Sequence, residues 1–239
     1  MAVAGRRVGT ALLGSGLLAI TLLGGAGGYG VGLWTTPGTA ATNGEASPLS
    51  GLSLPTAPPS QSPTPPAKKV VPDDSPALEA DELTYKTRTF TARMAVKSRV
   101  RVQVPALWDF TQPDPPKTGR YTDPTSKRWI RLEAGFTIQR APAVSMAERL
   151  KQLASVPASQ MLSIKSQTVD PDSKEATLVY TYVPENSLRY VIVRWVSNGA
   201  GLCTFEIAVT GLPQDQEALE DILDHAAQSA LRNDSAIGS

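Results

Sequence analysis

Between Lys86 and Trp108 the chain carries six basic residues, Lys86, Arg88, Arg93, Lys97, Arg99 and Arg101, and no acidic one. Within this stretch Val96, Ser98, Val100, Val102 and Val104 recur with a period of two, and Lys97, Arg99, Arg101 and Gln103 fall between them. In a strand that spacing sends the two sets to opposite faces. Clustered positive charge raises the local concentration of anions, so Lys97, Arg99 and Arg101 form a candidate face for an anionic ligand such as an envelope polymer or lipid head groups. The bland alternative is a solvated sheet face, or an edge whose charges guard against aggregation.

Other reactive residue types are sparse. Trp108 and Tyr121 flank the loop 109–120, which contains three prolines, and could rim a binding groove. Together with Trp129, Tyr180, Tyr182 and Trp195 they could equally be sheet-packing aromatics. The one cysteine, Cys203, alternates with Phe205, Ile207 and Val209 and reads as a small core hydrophobe. A nucleophilic thiol would need a base nearby, and the sole histidine, His225, falls next to Asp224 on the last expected helix. One histidine leaves no His-rich metal cluster, and Asp114, Asp170 and Asp172 resemble turn residues without calcium-loop spacing. No Walker loop, Gly-x-Ser-x-Gly elbow or metalloprotease helix is present. The reading is a non-enzyme with no catalytic residue, no metal and no cofactor.

The elements that must position these residues come from hydrophobic periodicity. Strands are expected over 96–104, ended by Pro105, and over 129–133 and 136–140, with a break near Gly135. A strand over 177–183 would put Leu178, Tyr180 and Tyr182 on one face. Strands over 188–197 and 202–210 flank Asn198-Gly199-Ala200-Gly201, a loop suited to positive φ and so to a hairpin. Ser145-Met146-Ala147-Glu148 reads as a capping box opening a helix with Val144, Ala147, Leu150 and Leu153 on its apolar face. A second helix over about 214–231 has Leu219, Ile222, Leu223, Ala226 and Ala230 as its stripe. This order predicts an α+β domain over 78–232, an antiparallel sheet with helices packed on it, followed by a disordered tail over 233–239.

The rest of the 239-residue chain has a different composition. Residues 8–34 are uncharged, with seven leucines and isoleucines at the centre, long enough for a helix across a bilayer core of about 30 Å. Arg6 and Arg7 precede the run, and no further basic residue occurs until Lys68. By the positive-inside rule residues 1–7 are a cytoplasmic tail and everything beyond the helix is extracytoplasmic. A cleaved signal peptide is the alternative, and it also exports the domain, as a secreted protein. Gly24, Gly28 and Gly32 have the spacing of a helix-dimerising face, or reflect the glycine content of such segments. Residues 35–77, rich in Pro, Ser and Thr, read as a disordered, polyproline-II-like spacer. Setting Arg6 and Arg7 aside leaves 21 basic residues against 22 acidic, which gives no overall electrostatic reason to expect nucleic acid.

Val102-Gln103-Val104-Pro105-Ala106-Leu107-Trp108 resembles the strand ending in Pro-x-x-Trp that opens PsbP-like domains. Tyr121-Thr122-Asp123-Pro124 and the closing Ala-Leu-Glu-Asp-Ile-Leu helix are similar to segments of exported actinobacterial (LpqN-like) members. The resemblance covers roughly residues 85–232 and implies a binding or assembly factor without catalysis. It transfers no functional residue, and the cysteine-lipid anchor of the lipoprotein members has no counterpart here. The expectation is a membrane-anchored extracytoplasmic binding or assembly module. Its partners would be the lipid bilayer, through the N-terminal helix, and an envelope protein or anionic wall polymer. The alternatives are a sensor working through a membrane partner and an envelope-acting hydrolase.

Overall fold

A computed structural model of the chain describes residues 69–94, 96–113, 116–134 and 140–237. The expected membrane helix, most of the expected spacer, Asp114 and all but the last residue of the strand expected over 136–140 lie outside them. Among the described residues no helix is long and apolar enough to cross a membrane.

The chain runs β1 (Tyr85–Arg93), β2 (Lys97–Pro105), β3 (Asp109–Thr111), β4 (Thr118–Thr122), β5 (Trp129–Glu133) and α1 (Pro142–Ala154). There follow β6 (Ser163–Val169), β7 (Ala176–Tyr182), β8 (Arg189–Ser197), β9 (Cys203–Gly211), α2 (Gln216–Ser229) and β10 (Leu231–Ser235). The strands form two antiparallel sheets, ordered β1-β2-β10 and β3-β4-β5-β9-β8-β7-β6. With two helices packed on them, the architecture is α+β.

Period-two alternation decides which side chains meet. The larger core lies between the sheets: Val100, Val102 and Val104 of β2 meet Ile130 and Leu132 of β5 and Phe205, Ile207 and Val209 of β9. Helix α2 closes it with Leu219, Ile222, Leu223 and Ala226, all fully buried. The alternate residues of the long sheet, among them Leu178, Tyr180, Val193 and Trp195, face the other way into a smaller core under α1. In the β8–β9 hairpin, Gly201 takes φ +73°, which a side chain would resist.

Three expectations are corrected. Helix α1 starts at Pro142, after Ala141, so Ser145 lies inside it and caps nothing. Proline at the first helical position has its φ already set and lacks only an N–H that the helix would leave unbonded, so it sets the start ahead of the serine. The buried face is then Pro142, Met146, Arg149 and Leu153, while Val144 is 49% exposed. The closing helix ends at Ser229, and residues 231–235, expected as helix end and tail, form β10 against β2. Finally, residues 71–77, assigned to the spacer, lie on the domain. The Val71 N–H donates to the Asn186 carbonyl at 2.8 Å, and Asp73 pairs with Lys127 at 2.8 Å.

Candidate functional site

The outward face of the β1-β2-β10 sheet is built by burial of its other side. Ser98, Val100, Val102 and Val104 are fully buried, which turns Lys97, Arg99, Arg101 and Gln103 outward on β2. The register sets Arg93 opposite Lys97, Thr91 opposite Arg99, and Thr89 opposite Arg101. On the far side β10 sets Ser235, Asn233 and Leu231 against the same three β2 residues. The sequence-derived trio Lys97, Arg99 and Arg101 is therefore one row along the middle strand, with Arg93 joining it at one end.

Among the described residues no carboxylate lies on that face. The single acid of β10, Asp234, is turned the other way, where it accepts from Ser98 Oγ at 2.6 Å and pairs with Arg232 at 2.7 Å. Arg232 also donates to the Thr204 carbonyl at 3.1 Å, which anchors β10 to β9. None of Arg93, Lys97, Arg99 and Arg101 has a carboxylate within ion-pair distance among the described residues. Sequence reading missed Asn233 and Ser235, because it took their segment for tail.

Trp108 and Tyr121 do not rim a groove. They are 4% and 1% exposed, inside the larger core. Tyr121 alternates with Arg120 and Thr122 on β4, and the side of β4 facing the other sheet takes the ring in. Phe110, 43% exposed, packs against it with the rings tilted at 45° and their centroids 5.0 Å apart. Burial pushes the Tyr121 hydroxyl up to about 12.

Cys203 is buried in the core under α1, and burial, with the Glu206 carboxylate as second cause, pushes its thiol up to about 12. His225 sits on α2, packed on the opposite face of the sheet, with its ring stacked 3.9 Å from that of Tyr85. The Tyr85 hydroxyl donates to Asp221 at 2.5 Å, and its proton is held above the usual range by burial and by that carboxylate. Cys203 and His225 are thus not brought together. Asp170 accepts from the N–H groups of Asp172 and Ser173 at 2.8 Å each, as a turn residue does.

A buried ionic cluster was not foreseen. On the α1 side of the long sheet, Glu133 and Glu206 are register partners on β5 and β9. Arg131 reaches Glu133 Oε2 at 2.9 Å and Glu206 Oε1 at 2.5 Å. Arg149 of α1 also binds Glu206 Oε1, and the Trp195 indole donates to Glu206 Oε2 at 3.0 Å. Among the described residues Glu133 Oε1 has no hydrogen-bond partner. Burial raises the Glu133 carboxyl, and the neighbouring Glu206 charge adds to it. Burial would raise Glu206 as well, but Arg149 and Arg131 outweigh it and hold that carboxyl below the usual range. With Glu133 1% and Glu206 6% exposed, the pair is closed to substrate. Arginine and glutamate read from sequence as solvated residues, and the only signal was their place on a strand whose alternate residues are apolar. No group of three or more His, Cys, Asp or Glu suited to a metal occurs among the described residues.

No protein-family model matches the chain, and no curated protein matches it. Among solved structures, the crystal structure of the Ran-binding protein Mog1p from Saccharomyces cerevisiae is similar. The two share 10% identity over 61% of this chain and 96% of that one, with a TM-score of 0.41. At that identity and score it is a likeness of overall α+β shape, and nothing about Ran passes from it to this chain.

Proposed function

We propose that the chain is a membrane-anchored, extracytoplasmic, non-catalytic binding or assembly module of PsbP-like type, and that its binding surface is the outward face of the β1-β2-β10 sheet. The observation that carries this reading is the set Arg93, Lys97, Arg99 and Arg101, four cations on one sheet face with no carboxylate among them in the described residues. Such a surface attracts and orients an anionic partner, and its attraction weakens with salt. The uncharged run 8–34 and the Pro-rich segment after it support a tether that holds this face outside the bilayer.

A sensor acting through a membrane partner is the second reading, favoured by the same tether. An envelope hydrolase would need converging carboxylates, and Glu133 and Glu206 converge as register partners. Both are committed to Arg131 and Arg149 and sealed from solvent, which disfavours that role. The test is crosslinking in intact cells, followed by purification of the full chain and of its Lys97→Glu/Arg99→Glu/Arg101→Glu variant. The reading expects one envelope component captured by the wild-type chain and lost from the variant. Equal capture by both removes the cationic face from the function. Resistance of the domain to external protease that shaves known surface proteins removes the extracytoplasmic placement.

A further inference from the structure

Resting on that reading, we propose that the occupant of the cationic face is a linear phosphodiester polymer, laid along the Lys97–Arg99–Arg101 row. Residues two apart on a strand repeat every ~6.8 Å, and neighbouring strands lie ~4.8 Å apart. The three β2 cations therefore form a straight row ~14 Å long between backbone positions, extended sideways at one end by Arg93. A single phosphate can reach at most neighbouring members of such a row. A chain of phosphates joined by short linkers can meet all of them at once, one after another.

What borders the row matches the linkers of such a chain. Thr89 and Thr91 line one side, Asn233 and Ser235 the other, so hydroxyl and amide groups flank the charges along their length. These are partners for the hydroxyls of a polyol or sugar between phosphates. What the face lacks separates this occupant from two others. Among the described residues no aromatic side chain borders the row, and Tyr85, at the far end of β1, is already stacked on His225, whereas stacking on free aromatics is how single-stranded nucleic acid is held. Among the described residues, Leu231, at the far end from Arg93, is the one exposed large apolar residue of the face's three strands, too little to bury into the interface of a bilayer. Among the described residues the face also holds no internal counter-ion, since Asp234 is spent on Ser98 and Arg232 behind it. An arriving polyanion displaces only dissolved ions.

The test uses the full chain in neutral detergent micelles, with synthetic poly(glycerol phosphate) of about ten repeats as probe, and monomeric glycerol phosphate and phosphatidylglycerol mixed into the same micelles as comparisons. The polymer is expected to bind with log K falling against log salt at a slope of about −3, about −0.7 for each of four contacts. Binding of the monomer should be at least about 100-fold weaker, because it makes one contact in place of four. Arg99→Gln with Arg101→Gln should reduce the slope by about 1.4 and the affinity at least about tenfold. Arg93→Gln with Lys97→Gln should do the same, and unchanged thermal unfolding of both variants shows that the fold is intact. A preference for phosphatidylglycerol over polymer that both variants lose, a slope near zero, or equal polymer binding by the variants overturns the proposal. If the polymer fails while the intact-cell experiment still captures a protein through this face, the binding-module reading survives and the polymer assignment does not.

Discussion

Arg128 grips Asp215 with two hydrogen bonds, Nε to Oδ2 and Nη2 to Oδ1, each 2.8 Å long, across 87 residues of chain. The same carboxylate accepts the N–H of Leu78 at 2.9 Å and of Leu212 at 2.7 Å, and Arg128 donates to the Pro76 carbonyl at 2.6 Å. One fully buried carboxylate thus ties together the point where the chain enters the domain, the β4–β5 connection and the start of α2. Its bond to Arg128 holds the guanidinium proton more tightly than usual.

Asp215→Asn should accordingly destabilise the domain by about 3–5 kcal/mol, the cost of stranding a buried charge rather than the worth of the pair. In urea unfolding the double variant with Arg128→Met should cost less than the two singles added, by about 0.5–3 kcal/mol of coupling. Additive losses would mean that the two groups act apart.

Gly119 of β4 packs against a ring. A β-carbon there would lie 2.9 Å from Phe90 Cε1 and Cζ, closer than real contacts allow. Phe90 is itself 5% exposed in the larger core and has little room to retreat. Gly119→Ala should cost about 1–3 kcal/mol by overpacking. Adding Phe90→Leu should make the alanine less costly than it is alone, as read from the shift in thermal midpoint. If the alanine costs the same in both backgrounds, the ring is not what the glycine accommodates.

Cys203 should resist thiol reagents in the folded protein. Its raised thiol leaves almost no thiolate at neutral pH, and the side chain is 3% exposed. Labelling should follow unfolding and quicken with denaturant. Rapid stoichiometric labelling at pH 8 without denaturant would contradict the buried placement.

Where local pattern and tertiary packing agree, sequence alone located the elements. The alternation of β2 and the stripe of α2 each carry one period over a full element, and each is buried on the expected face. The Gly-rich turn located the β8–β9 hairpin, but Cys203, expected on the face of Phe205, Ile207 and Val209, lies in the core under α1 instead, beside a register shift at Val196 and Ser197. Where a partner decides, local pattern was silent. Leu231-Arg232-Asn233-Asp234-Ser235 has poor strand propensity, yet it pairs with β2 because that strand offers an open edge and Ser98 and Thr204 receive its charged pair. Trp108 and Tyr121 looked like groove residues because the proline-containing loop between them hid the short strands β3 and β4. The row Lys97, Arg99 and Arg101 was legible as charge on one face. Its polar borders depended on a register between strands more than 120 residues apart.

The Glu133–Glu206 pair gives the domain a pH dependence whose sign follows from the two carboxyls. Glu133 has a folded value above the ordinary 4.5, so folding favours its protonated form. Its contribution is complete below 4.5 and is lost as pH rises through the raised value. Glu206 runs the other way: its folded value is depressed, so its contribution is present above 4.5 and lost on acidification. Glu133→Gln keeps an acceptor for Arg131 and removes the titration. Between pH 4.5 and 7 wild-type stability should therefore decline relative to that of the variant. Glu206→Gln should be destabilising at pH 7, because Arg131 and Arg149 lose their shared carboxylate, and its deficit should shrink below pH 4.5. Urea unfolding at half-unit pH steps measures both curves. A Glu133→Gln curve parallel to wild type throughout that window would show that Glu133 titrates as an ordinary carboxylate, and the unpartnered oxygen would then have no energetic consequence.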